Sequence, residues 1–270
     1  MSKSKGRASN VLLIVLLLAG LSLLLYPTVS NLWNSFHQSR AIVDYSEEVS
    51  DLNVEQSERL LAEAERYNQE LLHDDGRFEM TSEQRDEYES ELRVSDTGMM
   101  GYLEIPCLDV SMPIYHGTDE AVLQVGAGHL EGSSLPVGGK GTHCVLSGHR
   151  GLPSSKLFSD LDKMEVGDIF VITVLDRTIT YEVDQILTVE PEDMEPLGID
   201  AQQDYCTLVT CTPYGINTHR LLVRGHRVPN QEADGASVAS RVDYAPVVAG
   251  AGAALVLAGI ALRAIARRKN

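Results

Sequence analysis

The sequence predicts a mostly β protein: a closed β-barrel preceded by a helical region and flanked by two transmembrane helices. Three observations predict it. Short β-rich runs separated by Gly and Pro fill residues 99–229, apolar residues at helical spacing recur within 30–98, and an uncharged apolar run lies near each end.

The two ends of the chain bear on where it resides. Val11 to Tyr26 and Ala245 to Leu262 are uncharged, apolar and about long enough to cross a bilayer as helices. Lys3, Lys5 and Arg7 precede the first, and Arg263, Arg267, Arg268 and Lys269 follow the second. The positive-inside rule then puts both termini in the cytoplasm and the middle of the chain outside, in the cell membrane. The expected organisation is a basic tail (1–10), a transmembrane helix (11–29), a helical region (30–98), the barrel (99–229), a linker (230–244), a second transmembrane helix (245–262) and a basic tail (263–270). A cleaved signal peptide is the alternative for the first run, which is short and followed by Pro27, but no clean small-x-small cleavage site comes after it. The net charge is −17, of which these flanks contribute +7, leaving −24 on the middle. So acidic a body repels a phosphate backbone, which argues against a nucleic-acid partner.

Between Asp44 and Leu72, the residues Val49, Leu52, Leu60, Leu61, Ala64, Tyr67, Leu71 and Leu72 recur mostly at three- and four-residue steps, as on an amphipathic helix. A solvated acidic stalk is the other reading of this stretch. Thr81-Ser82-Glu83-Gln84 is a capping-box pattern that starts a second helix running towards Val94. His73 to Phe78 forms the turn between them.

Strands are expected at 101–105, 112–115, 143–147, 169–174, 178–189, 207–210 and 221–227, a spacing that suits a barrel. Pro106, Pro113, Pro136, Pro153, Pro191 and Pro213 are expected at strand edges, since proline donates nothing to a ladder.

Chemistry concentrates at strand ends. Cys211 stands between two threonines and just before Pro213, where a strand ends rather than where a packed thiol would sit. A cysteine needs a neighbouring base or cation to react readily at neutral pH. Arg220, past a turn through Pro213 to Asn217, supplies a permanent cation with forked donors suited to a carbonyl or oxyanion. A surface arginine is the plainer reading from position alone. Among eight histidines, His149 closes the run Val145-Leu146-Ser147-Gly148 and projects into a loop. Thiol and imidazole meeting at one barrel rim would support nucleophilic acyl transfer with a proton donor for the leaving amine.

The segments Leu146-Ser147-Gly148-His149-Arg150-Gly151, Thr207 to Tyr214 and Asn217-Thr218-His219-Arg220, in that order, resemble the sortase family over roughly 101–227. Gly101 to Pro106 and Leu135 to Gly139 fit as well. The two membrane runs and the long helical region resemble class C, the pilus-assembling sortases of Gram-positive bacteria. The resemblance implies a sortase-type barrel with a helical lid region and a cysteine transpeptidase acting on an LPXTG-like signal. Cys211 would attack the Thr-Gly carbonyl, His149 would protonate the leaving amine, and Arg220 would steady the carbonyl. The implied partners are pilins bearing that signal and an acceptor lysine, together with the membrane.

Class C sortases resemble one another in an Asp-Pro-aromatic lid motif, absent here. Asp75-Gly76-Arg77-Phe78 is the nearest counterpart, so Phe78 is expected to cap Cys211 and Asp75 to approach Arg220. If the strands of His149 and Cys211 are parallel neighbours, as the resemblance implies, Cys144 and Cys206 lie at similar heights on the opposite strand faces. They are read as two reduced, packed thiols, with a disulfide as the alternative; Cys107 is expected to pack. The loop Glu190 to Asp200 lacks EF-hand spacing and is interrupted by Pro191 and Pro196, which favours a solvated loop over a calcium site. No metal or cofactor is expected. Two rival functions are a housekeeping sortase anchoring proteins to peptidoglycan and a non-catalytic, membrane-anchored binding module.

Overall fold

The computed structural model describes residues 3–230 apart from 75 and 153, with residues 3–11 as backbone only. The expected transmembrane helix at 245–262, the linker from 231 and the basic tail at 263–270 lie outside the described residues.

Helix α1 (Lys3–Asp51) is one element of 49 residues, about 70 Å long. Its stretch from Leu12 is long and apolar enough to cross a membrane, and none of that apolar window is buried within the protein. Pro27 lies inside α1 rather than ending it. The amphipathic helix expected from Asp44 to Leu72 is instead two helices. Asn53 breaks the run by forming a capping box with Gln56, each side chain bonding the other's backbone N–H, and so starts α2 (Val54–Leu71). Thr81 and Gln84 form the same reciprocal pair and start α3 (Ser82–Ser90).

Eight strands follow: β1 (Met99–Ile105), β2 (Val110–His116), β3 (Ala127–His129), β4 (Thr142–Ser147), β5 (Ile169–Val174), β6 (Arg177–Val189), β7 (Asp204–Thr212) and β8 (His219–Val228). They close into a barrel in the order β1-β2-β3-β4-β7-β8-β6-β5. The β2–β3 and β4–β7 pairs are parallel and the remaining pairs antiparallel. A short helix, α4 (Glu120–Leu123), joins β2 to β3. Closure leaves no free sheet edge, and alternation fills the interior: Phe170, Ile172 and Val174 on β5 are fully buried while their neighbours are half-exposed.

Pro113 is not at a strand edge but within β2, opposite Tyr102 of β1. The ladder with β3 starts only at Ile114, opposite Ala127, so the N–H that proline lacks is not missed. Cys144 and Cys206 are register partners on parallel strands, both buried in the interior and both free thiols. Burial pushes the Cys206 thiol well up. Cys107 is also free but exposed rather than packed.

The helical region is no solvated stalk. Ala64, Tyr67 and Leu71 of α2 and Tyr88 of α3 are buried in the same core as the barrel side chains. Asn68 of α2 donates to the Leu135 carbonyl and accepts from the Leu135 N–H. Tyr88 is fully buried, with its hydroxyl 2.9 Å from His129 Nδ1 and 3.1 Å from the His129 carbonyl while accepting from the Gly117 N–H at 3.0 Å. Tyr88→Phe leaves those groups without their partner and is expected to cost about 1–3 kcal/mol, read as a lower urea midpoint with an unchanged slope.

His143 is equally enclosed: Nδ1 donates to the Gly198 carbonyl at 2.8 Å and Nε2 accepts from the Thr207 hydroxyl at 2.7 Å. Burial pushes its pKa down to about 4. The folded protein therefore holds this ring neutral while the unfolded chain protonates it near about pH 6.5. Stability contributed by the neutral ring is complete above that pH, falls as pH drops towards about 4, and falls no further below it. A loss on the order of 3 kcal/mol is expected across that window. Chemical denaturation of the wild type and His143→Gln at pH 7 and pH 4.5 checks it, the variant showing the shallower fall.

Candidate active site

Strand register sets three side chains in one row. Ser147 of β4 pairs with Val209 of β7 in parallel, and Cys211 of β7 pairs with Arg220 of β8. Two residues beyond the first pair, His149 leaves β4 at the height of Cys211. Alternation puts all three on the outer face, because Cys144, Leu146, Cys206 and Leu208 occupy the interior positions. The order across the sheet is thus His149, Cys211, Arg220 at the rim where β4 and β7 end and β8 begins. Cys211 and Arg220 are half-exposed.

The backbone between His149 and Cys211 is clasped. Gly148 N donates to the Val209 carbonyl at 3.0 Å, and the Thr210 hydroxyl donates to the Gly148 carbonyl at 2.7 Å. The His149 carbonyl accepts from Phe158 N at 3.1 Å. Residue 148 has to be glycine for this arrangement, since a Cβ there would lie 2.5 Å from a carbon of the buried Phe158 ring. The loop leaving β4 is therefore locked against both β7 and its own return.

The His149 ring turns towards α4, with Nε2 3.1 Å from a carboxylate oxygen of Glu120. Hydrogen bonds from Gln124 and then His149 hold the Glu120 carboxyl below its usual range. Arg220 spreads its guanidinium across the turn, donating to the carbonyls of His219 at 3.2 Å and Asn217 at 3.4 Å. Beside the row, Arg150 buries its side chain, donates to the Thr212 hydroxyl at 3.2 Å and pairs with Asp162. Below the row on the outer face lies a separate apolar cluster of Val145, Leu197 and Leu222, flanked by Leu187, Val189 and Val209. A thiol at the head of an apolar strip, between an imidazole and a guanidinium, suits attack on a carbonyl within an extended peptide.

Glu120, Thr210 and Arg150 did not stand out from the sequence as site residues. Arg150 adjoins His149 and was legible only as its neighbour; the four-residue α4 that carries Glu120 has no periodicity to reveal it. The expected position of Phe78 is corrected. Its ring lies against Gly132 in the β3–β4 loop and under the Arg77 guanidinium, which itself donates to the carbonyls of Gly132 and Leu197. The adjoining Ser133 bonds Val145, the partner of Thr207, so Cys211 is roughly 13 Å further up β7. Glycine at 132 admits this packing: a Cβ there would meet the Arg77 carbonyl at 2.3 Å. Arg77 thus fastens the segment at the Leu197 end of the apolar strip, and none of the contacts described for Phe78 is with Cys211. Asp75 lies outside the described residues.

Residues 103–228 match the model of the Sortase domain. The chain is 30% identical over 131 residues to Sortase D of Bacillus subtilis, an overlap covering 47% of this chain and 63% of that protein. Across the curated relatives matched, the overlap spans between 39% and 63% of their length. Among solved structures, the crystal structure of sortase C1 from Streptococcus agalactiae is 54% identical with a TM-score of 0.70, the match covering 71% of this chain and 100% of that one. A Clostridium perfringens sortase C, solved with the C-terminal cell wall sorting motif, is 40% identical with a TM-score of 0.63, covering 71% and 99% respectively. The barrel, the row of side chains within the matched region, and coverage of a whole solved sortase at that identity lead to one conclusion: the chain belongs to the sortase family.

Proposed function

We propose that this chain is a membrane-anchored cysteine transpeptidase of the class C type, joining pilins through an LPXTG-like sorting signal. The row of His149, Cys211 and Arg220 carries the reading. The Cys211 sulfur attacks the carbonyl of the signal's threonine, and the Arg220 guanidinium stabilises the charge developing on its oxygen. As the Thr-Gly bond breaks, the imidazolium of His149 gives its proton to the departing glycine amine. An acyl-thioester on Cys211 remains. The uncharged lysine amine of a second pilin then attacks it, His149 takes up the proton, and the thiolate leaves as an isopeptide bond forms. Atoms and charge balance with no other reagent.

Class C assignment within the family draws on the similarity to sortase C1 and to the C. perfringens sortase C. The proposed location, with the basic end of α1 in the cytoplasm and the barrel outside, draws on the apolar stretch of α1 and the basic residues before it. A C-terminal anchor at 245–262 belongs to the same proposal. The Arg77-Phe78 segment, held at the Leu197 end of the apolar strip, would have to yield to a peptide lying along that strip.

The test is to incubate the full chain with a pilin bearing an LPXTG-like signal and an acceptor lysine, beside a peptidoglycan cross-bridge amine. A ladder of pilin multimers, with a Thr–Lys isopeptide identified by mass spectrometry, is the expected product. Exclusive transfer to the cell-wall amine would instead identify a housekeeping anchoring enzyme, and no Cys211-dependent product at all would point to a binding module.

A further inference from the structure

The same helix that is apolar enough to span a membrane is bonded to the active-site rim. Asn31 accepts from the N–H of Lys156 and Asn34 donates to the Ser154 carbonyl, both in the loop that follows His149. Gln38 donates to the carbonyl of Val125, next to the start of β3. Further along, Tyr45 donates to the Met100 carbonyl and accepts from Leu175 N, at the opposite end of the barrel. Helix α1 therefore runs along the barrel wall from the rim to the far end. The rim is the end nearer its apolar stretch.

Distances along the helix place that rim. No Asp, Glu, Lys or Arg occurs from Ala8 to Ser39, so the charge-free stretch continues past Asn31 and Asn34 to the last rim contact at Gln38. With Val29 at the end of the spanning stretch, Asn31, Asn34 and Gln38 stand about 3, 8 and 14 Å beyond it along the axis. The headgroup zone of a bilayer is roughly 5–8 Å deep on each side. Trp33 and Phe36, at the height of the rim loops, are exposed. Across the rim, the loop from β7 to β8 carries Tyr214 and Ile216, which are 61% and 68% exposed, and Val125 beside α4 is exposed too. These apolar side chains at one level have no partner among the described residues that would bury them.

We propose that the active-site rim is itself a membrane-contact surface: Tyr214 and Ile216 enter the interface of the bilayer that α1 crosses, beside Trp33 and Phe36. The partner is a lipid surface. An aromatic ring with a polar tip and a bare aliphatic side chain suit that zone, and the rigid union of α1 with the loop after His149 sets the depth. Cys211 then opens onto the headgroup layer, where a sorting signal close to a membrane-embedded segment would lie. The proposal rests on α1 being a membrane anchor.

Trp33 is the sole tryptophan of the chain, which makes a direct depth measurement possible. The full chain is reconstituted in phosphatidylcholine vesicles containing acyl-brominated lipid, as wild type and as Trp33→Phe combined with Tyr214→Trp, Ile216→Trp or Val54→Trp. The expected result is loss of fluorescence in proportion to brominated lipid for Trp33 and for the residue 214 and 216 probes, with none for the residue 54 probe at the start of α2. Quenching of Trp33 with unquenched probes at both 214 and 216 would overturn the rim contact while leaving the anchor intact. An emission shift of those unquenched probes on adding sorting-signal peptide would assign the loop to substrate instead, and overturn it equally. No quenching of Trp33 would overturn the anchor and the rim contact together.

Discussion

Replacing Cys211 with alanine is expected to lower transpeptidation roughly 10⁴-fold or more, since in the proposed reaction its sulfur supplies the electron pair that forms the acyl-enzyme. The fold should tolerate it. The side chain is half-exposed on the outer face, so removing its sulfur empties no core position. Cys107→Ala is the matched control, an exposed thiol on the β1–β2 connection and away from the β4, β7 and β8 row. It should retain full activity. Initial rates of sorting-signal cleavage for both variants, with unfolding midpoints alongside, check the pair.

His149→Ala is expected to lose about 10²–10⁴ in rate, the contribution of a positioned acid and base. Its side chain bonds only the exposed carboxylate of Glu120 among the described residues, so thermal stability should move little. The loss should be smaller for a substrate analogue whose leaving group needs no proton. Comparing the variant on a peptide and on an activated thioester of the same acyl group separates a proton-transfer role from a positional one.

Much of this arrangement was legible in the sequence, for a physical reason. Strand ends at Ser147 and Thr212 announce themselves through Gly148 and Pro213, and the distance from Cys211 to Arg220 suits a hairpin. The register row then follows from pairing alone. β3 escaped because Ala127-Gly128-His129 is three residues with no bulky β-former; its place comes from β2 and β4 on either side. The break at Asn53 escaped because the apolar spacing runs through it, and the capping box with Gln56 outweighs the pattern. Pro113 was misplaced because a rule about central strands ignores where a neighbouring ladder begins. Phe78 was matched to the aromatic of the Asp-Pro-aromatic lid motif by its place in the sequence, which says nothing of azimuth around a barrel. What decides it is Gly132, whose missing Cβ admits the Arg77 backbone.

The helical region also changes meaning. Read by periodicity, it held an amphipathic helix or a solvated stalk, and the family resemblance alone suggested a lid. In the structure, α2 and α3 pack with the barrel core, with Tyr67, Leu71 and Tyr88 buried there. The long α1 is bonded to the barrel through Asn34, Gln38 and Tyr45. The helix that is apolar enough to cross a membrane is thus joined to the barrel by hydrogen bonds in the loop that follows His149, at the rim of the candidate active site.

The central claim is that Cys211 forms an acyl-thioester with a sorting signal. Intact-mass analysis of the full chain, mixed with an LPXTG-like peptide and quenched in acid, tests it most directly. The account predicts a mass gain equal to the acyl fragment through threonine, mapped to Cys211 and removed by hydroxylamine. An adduct absent under conditions where the peptide is cleaved, or one mapping to Cys107, would contradict it.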